Sequence, residues 1–307
     1  MLMTQKRSRI RERGGDRIFG LVNGCLLILI FFITLYPIIY VLSASISAPE
    51  AVNSGRMWLW PIDPSLDGYD YILKYRDLWI SYANTLLYTV TGTTVALALT
   101  LPCAYALSRK DLMGRGPVMI YFMITMYISG GLIPGYLNIR SLGLLNTRTL
   151  MILNGGVSIY NMIVARTFFA NTIPWELHEA ARIDGASDFT TFLRIILPLS
   201  KPIVVVLMLY YGVAHWNTYF AALLYLTDRG KFPLQLILRE ILITSQMSAQ
   251  GFDGADAEMV AAIFKLEQRA NLVKYCVIVA STVPMMILYP CVQKFFAKGV
   301  MIGSVKG

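Results

Sequence analysis

The chain holds few groups able to do reaction chemistry, and the chemistry it does hold suits binding. It has two histidines, His178 and His215, and no H-E-x-x-H pattern around them. Cys25, Cys103, Cys276 and Cys291 share no C-x-x-C spacing, so they read as buried free thiols. A Walker A phosphate loop is also missing: Gly230-Lys231 runs into Phe232, and Tyr225 stands where the first glycine is needed. No catalytic residue, metal ligand or bound cofactor is expected. Two clusters remain. Tyr210, Tyr211, Trp216, Asn217, Thr218 and Tyr219 combine aromatic faces with amide and hydroxyl groups, the set that grips a polyhydroxylated ligand. Ordinary packing of aromatics is the alternative there. The second cluster lies between Asn171 and Pro202, where acidic, small and basic residues alternate over two short helical patterns.

The elements that carry these clusters are apolar. Of 307 residues, 56% are hydrophobic and 15% charged, and mean hydropathy is +0.57, which argues against a soluble enzyme, a disordered tail or a disulfide scaffold. Six stretches are long enough to cross a hydrocarbon core: 18–42, 83–107, 117–138, 150–169, 197–226 and 272–295. The first is too long for a signal peptide's apolar region and reads as a retained anchor. With the N-terminus placed in the cytoplasm, the inner segments carry the whole net charge of +9 and the outer ones are nearly neutral. That asymmetry is the positive-inside pattern, so the basic character reports topology and not nucleic-acid binding. The expected fold is therefore all-α and polytopic, with six transmembrane helices and both termini cytoplasmic. Breakers interrupt several stretches: Pro102, Gly130-Gly131 with Pro134, Gly155-Gly156 and Pro284. They suit a bundle around a pathway, or ordinary kinks and close packing. No Asp or Glu falls in any stretch, unlike in proton- or sodium-coupled carriers. Energy for uphill movement would have to come from another chain.

The segment 171–202 predicts a projecting knob. Pro174 suits a first helical turn, Glu176 the positive end of the helix dipole and Arg182 its last turn. Gly185 suits a left-handed C-cap. A second helix can start at Ser187, with Phe189, Phe192, Leu193 and Ile196 forming one apolar stripe before Pro198 and Pro202 lead into the fifth stretch. Helix, sharp turn and helix make a rigid shape suited to receive force from a partner.

Glu179-Ala180-Ala181, then Asp184-Gly185-Ala186, Phe192, Ile195, Leu197-Pro198 and Pro202 resemble the EAA loop of ABC-importer permeases. The likeness runs from about 79 to 290, with the loop at 174–202, a basic N-terminus at 1–17, a first helix and outer loop at 18–78 and a cytoplasmic tail at 291–307. The chain's ending and the run Leu35 to Ser45 are similar to carbohydrate-importer members, in particular the smaller six-span permease of maltose-type pairs. The resemblance implies a type I permease in the plasma (inner) membrane, paired with a second, related permease. Two ATPase subunits, which use ATP and Mg, would sit below it and an extracellular solute-binding protein above. Residues implied in coupling are Glu179, Ala180, Ala181, Arg182, Asp184, Gly185 and Ala186. Asp184 and Arg182 could instead pair only within the loop. The substrate pathway would use Tyr210, Tyr211, Trp216, Asn217 and Tyr219, with much of the contact left to the partner permease. Another solute delivered by a binding protein is the nearest alternative; a secondary carrier or a membrane-embedded enzyme would be a different class.

Two outer segments complete the reading. Trp58, Trp60, Tyr69, Tyr71, Tyr75 and Trp79 fit an interfacial aromatic belt or a contact with the binding protein. Residues 227–271 are expected to hold a short helix near 234–243 and then a polar, glycine-bearing stretch at 245–256, either a solvated loop or one reaching the binding protein.

Overall fold

The computed structural model describes residues 14–248, 273–287 and 290. Every regular element among them is helical. These residues fall into two compact units, 14–70 with 273–279, and 71–248 with 280–287 and 290.

The first unit is built on α1 (Gly14–Ser45), apolar all round and with none of its most apolar window buried inside the chain. Such a helix needs lipid or another chain against it. Its last turn is tied down by hydrogen bonds: Ser43 Oγ donates to Leu59 O at 2.7 Å, and Tyr69 OH to Ser45 Oγ at 2.9 Å. The Cys276 thiol donates to Ser45 O, which binds the start of α15 (Val273–Ile287). Between them lie α2 (Pro49–Asn53), opened by a proline that gives up no needed N–H, and the start of α3 (Asp67–Lys74).

The second unit is organised around α4 (Arg76–Ser108). Pro102 lies inside α4 and does not break it, so the interruption expected there is absent. The proline costs one intrahelical hydrogen bond, but the helix is clamped along its length by neighbours. The elements after it are α5 (Arg115–Tyr127), α6 (Leu132–Ser141), α7 (Arg148–Leu153), α8 (Ile159–Thr172), α9 (Glu176–Ile183) and α10 (Asp188–Thr191). A π-helical turn, Phe192–Ile196, leads to α11 (Leu197–Leu199), α12 (Lys201–Trp216), α13 (Phe220–Tyr225) and α14 (Leu234–Ser248). α4 packs on α7, α8, α12 and α14. The core joins Leu101, Ala104 and Tyr105 of α4 to Met162, Ala165 and Phe169 of α8 and Ile203, Leu207 and Tyr211 of α12. At Gly92 the fit on α12 is so close that a Cβ would lie 2.5 Å from the His215 ring, so only glycine permits this approach.

By length and apolar character, α1 and α4 can each cross a membrane, and two bent helix pairs could supply two more crossings among the described residues. Three of the six stretches are thus not single helices. The third turns through 112° between α5 and α6, where Gly131 takes φ +85. The fourth breaks at Asn154–Gly156, with Gly155 at φ +74, and Ser158 caps the restart as α8. The fifth begins at Lys201 after an 85° bend and breaks again before α13. A glycine with positive φ ends a helix at little cost, and α7, α8 and α12 are held by packing on α4, α5 by packing on α8 and α13 by packing on α14. Pro284 leaves α15 unbroken, and the sixth stretch beyond Ile287 falls largely outside the described residues, as do most of 1–17 and 291–307. α14 runs past the expected end at 243 to Ser248, and the rest of the polar stretch to 256 also lies outside them.

Candidate functional site

The knob is built by local chemistry. Trp175 O accepts from His178 N at 2.9 Å to open α9, and Glu176 and Glu179 occupy its first turn. At its end Ala186 N donates to Ala181 O at 2.9 Å and Gly185 N to Arg182 O at 3.1 Å. This crossed pair is a Schellman cap, with Gly185 at φ +73 as its left-handed residue. Ser187 Oγ then accepts from Thr190 N at 3.2 Å and starts α10 where the sequence placed it. The expected four-residue apolar stripe is split: Phe192 and Ile196 are buried, whereas Phe189 is 70% exposed and Leu193 partly so. The π-helical turn changes the angular step, so residues three and seven apart no longer share one face. Glu179, Ala180, Arg182, Asp184 and Gly185 are exposed, together with Ile183, while Ala181 is buried beneath them. Trp175 Nε1 donates to Glu179 Oε1 at 3.0 Å.

What fixes the knob to the bundle is a group that sequence reasoning missed. Arg109, just past the end of α4, is almost buried and donates through Nε to Asp111 Oδ1 at 2.8 Å and through its terminal nitrogen to Asp188. Arg182 of α9 reaches the same Asp111 at 2.8 Å. Arg182 therefore pairs outside its own loop, while Asp184 remains at the exposed turn. The Arg109 guanidinium, with Arg182 beside it, holds the Asp111 carboxyl well below the usual carboxylate range. Rings stack next to these charges: Trp175 on His178 at 5.0 Å, His178 on Tyr105 at 5.7 Å and Tyr105 on Phe192 at 5.1 Å. Burial, followed by the Arg109 charge, lowers the pKa of His178, so its ring is held neutral. In the sequence the only signal was a short charged run, Arg109-Lys-Asp111, which reads as topology.

The aromatic cluster divides. Tyr211 is 2% exposed; its hydroxyl bridges Thr100 Oγ1 at 2.7 Å and Ser158 N at 3.0 Å, which uses it in packing. Trp216 is 3% exposed and donates to Ser281 O. Tyr210 is exposed on α12. Asn217 and Tyr219 occupy the break between α12 and α13 and, with Thr218, Asn154, Phe220 and Tyr225, line a cavity of about 360 Å³. Tyr225 is stacked on Tyr136 at 6.1 Å.

At the Arg76 end of α4, buried side chains capture backbone. Asn84 Nδ2 donates to Gly230 O at 2.9 Å and Phe232 O at 3.2 Å, Tyr88 OH donates to Lys231 O at 2.9 Å, and Leu234 N donates to Thr85 Oγ1 at 2.7 Å. Arg229 adds exposed pairs to Asp77 at 2.7 Å and Glu240 at 3.1 Å. The base of α14 is thereby fixed to α4.

Residues 77–302 match the family of binding-protein-dependent transport system inner membrane components. The polygalacturonan/rhamnogalacturonan transport system permease protein YtcP of Bacillus subtilis (strain 168) is 41% identical over 95% of this chain and 99% of its own length. Protein LplC of the same organism is 37% identical over 95% of this chain and 96% of its own. Among solved structures, a chain of a bacterial ABC transporter involved in the import of the acidic polysaccharide alginate matches with a TM-score of 0.82 and 36% identity, covering 93% of this chain and 99% of that one.

Proposed function

Because the chain belongs to the binding-protein-dependent transport system inner membrane components, we propose that it is the permease subunit through which an ATP-driven importer moves an oligosaccharide across the plasma membrane. Its likeness to the Bacillus permease supports the carbohydrate assignment. The chain would cross the membrane six times with both termini cytoplasmic, the bent and broken helices counting as crossings. It would pair with a second permease, with two ATPase subunits supplying ATP hydrolysis and a binding protein delivering the sugar. The chain itself would bind no cofactor.

The observation that carries the reading is the knob. An exposed face of Glu179, Ala180 and Ile183 ends in a rigid glycine cap and is braced on α4 by the Arg109 cluster. Small and charged residues on a braced helix suit insertion into a cleft of a motor subunit. The break at Asn217–Tyr219 and its cavity would then form part of the pathway, with Tyr210 on the same helix and Tyr211 and Trp216 holding the walls in place.

The test is sugar uptake and binding-protein-stimulated ATP hydrolysis in vesicles at matched permease levels. Gly185→Val puts a branched side chain at φ +73, costing roughly 1 kcal/mol or more, and mis-aims the knob. Glu179→Lys reverses an exposed charge, which on an idle surface costs no more than about 0.5 kcal/mol. Both variants are expected to insert normally and to lose uptake and stimulated hydrolysis together. Wild-type activity in both would remove the coupling role from this loop.

A further inference from the structure

The six aromatics from Trp58 to Trp79 do not act as one set. Tyr69 OH donates to Ser45 Oγ, Tyr71 stacks on Tyr75 at 6.3 Å and Trp79 Nε1 donates to Leu73 O. Trp58 and Trp60 stand apart, 73% and 76% exposed. The indole N–H groups of Trp79, Trp175 and Trp216 each meet an acceptor in the chain; among the described residues those of Trp58 and Trp60 meet none. The backbone that carries these two rings dips along the end of α1. Met57 lies beside Ser47, its sulfur 3.3 Å from the hydroxyl. Leu59 O accepts from Ser43 Oγ at 2.7 Å. Ile62 then returns to the level of Met57: its N donates to Ser47 Oγ at 3.3 Å and its O accepts from Ala48 N at 3.1 Å. Leu59 is thus the point of the loop set furthest toward the apolar body of α1, and the two tryptophans flank it.

The helix itself supplies a depth scale. The apolar run of α1 from Ile18 to Leu42 is about 37 Å long at about 1.5 Å per residue, enough to cross a hydrocarbon core of about 30 Å. Its exposed apolar surface ends at Leu42, and Ser43, Ala44 and Ser45 are buried. Leu59, bonded to Ser43, therefore sits where hydrocarbon gives way to headgroups. We infer that Trp58 and Trp60 are a lipid anchor, with their rings in the bilayer boundary and their N–H groups on lipid ester carbonyls, and that they fix the depth of α1. An indole wholly in water exposes its apolar face, and one deep in hydrocarbon leaves its N–H unpaired; the boundary satisfies both ends. The dip, Met57-Trp-Leu-Trp-Pro-Ile62, carries no charge that lipid would have to desolvate.

The experiment places the full chain, in its complete importer, in phosphatidylcholine liposomes whose acyl chains carry bromine either near the ester or near the chain end. Subtracting the fluorescence of Trp58→Phe/Trp60→Phe from that of wild type isolates the two indoles. Their emission is expected to be blue-shifted from that of indole in water. It should be quenched more strongly by bromine near the ester than by bromine near the chain end, and little by iodide present on both sides. Each single variant, Trp58→Phe or Trp60→Phe, supplies the same subtraction for one ring, and circular dichroism equal to wild type checks the helices. Emission like that of indole in water, quenched by iodide and not by brominated lipid, would overturn the anchor. Iodide quenching that disappears only when the solute-binding protein is added would also overturn it and give this surface to that partner. Stronger quenching by chain-end bromine would put the rings in the hydrocarbon and overturn the boundary assignment.

Discussion

At its Ser108 end α4 holds the knob by charge and ring stacking, whereas at its Arg76 end it holds the turn before α14 by buried, neutral hydrogen bonds to backbone. Arg109, Asp111, Asp188 and Arg182 form the first joint, with Asp188 and Arg182 largely exposed. Asn84, Thr85 and Tyr88 form the second, each less than 5% exposed. The difference sets what each joint can do. Buried neutral bonds leave orphaned groups when broken, so that joint is costly to open. Asp188 and Arg182 can trade their pairs with water while the almost buried Arg109 stays in place, so the knob joint aims an element without fusing it to the bundle.

The largest effect should come from the buried joint. Asn84→Leu leaves the carbonyls of Gly230 and Phe232 without their donor and should cost about 2–3 kcal/mol. Thermal unfolding of the purified protein measures it, and a loss under about 0.5 kcal/mol would erase the contrast between the two ends.

An intermediate effect concerns pH and belongs to the knob alone. His178 has a folded pKa below its ordinary value, so its contribution is present above about 6.5 and is lost as pH falls below that. Asp111 is also depressed, and its contribution is lost only when pH falls through a value well below the carboxylate range. Between pH 7.5 and 5.5, therefore, the His178 stack should weaken while the Asp111 pairs persist. Hydrogen-exchange protection of α9, taken relative to the intrinsic amide rate at each pH, should fall on acidification in the wild type and stay flat in His178→Phe, which keeps a ring without the titration. An equal fall in protection in both would assign the effect elsewhere.

The smallest effect sharpens the comparison at both ends. Arg229→Gln and Arg182→Gln remove exposed pairs, the arginines being 52% and 68% exposed, and each should change unfolding stability by no more than about 0.5–1 kcal/mol. A larger loss from Arg182→Gln would mean that the charge cluster supports the fold as well as aiming the knob.

Legibility in the sequence tracks the range of the interaction. Gly185 and Ser187 were legible because a helix cap is made by residues within a few positions of one another. The glycine pairs at 130–131 and 155–156 were visible, but nothing local says whether a helix kinks or stops, and here both stop. The Arg109 joint was out of reach: Asp188 lies 79 positions from Arg109 and Arg182 lies 71 from Asp111, and a charged run beside a span reads first as a topology signal. The aromatic cluster divides for a similar reason. Spacing grouped Tyr211 with Tyr219, yet burial commits Tyr211 to a bond with Thr100 and leaves Tyr219 facing a cavity.

The sequence by itself determined the apolar helical class and the helix–turn–helix of the knob. Each depends on composition or on neighbours in the chain, where the physics is transfer free energy and local hydrogen bonding. The tertiary structure alone decided which stretches stay whole, which tyrosine faces open space and which acids the Arg109 guanidinium meets. Those outcomes depend on distances between segments remote in sequence, and packing sets such distances only once the chain has closed on α4.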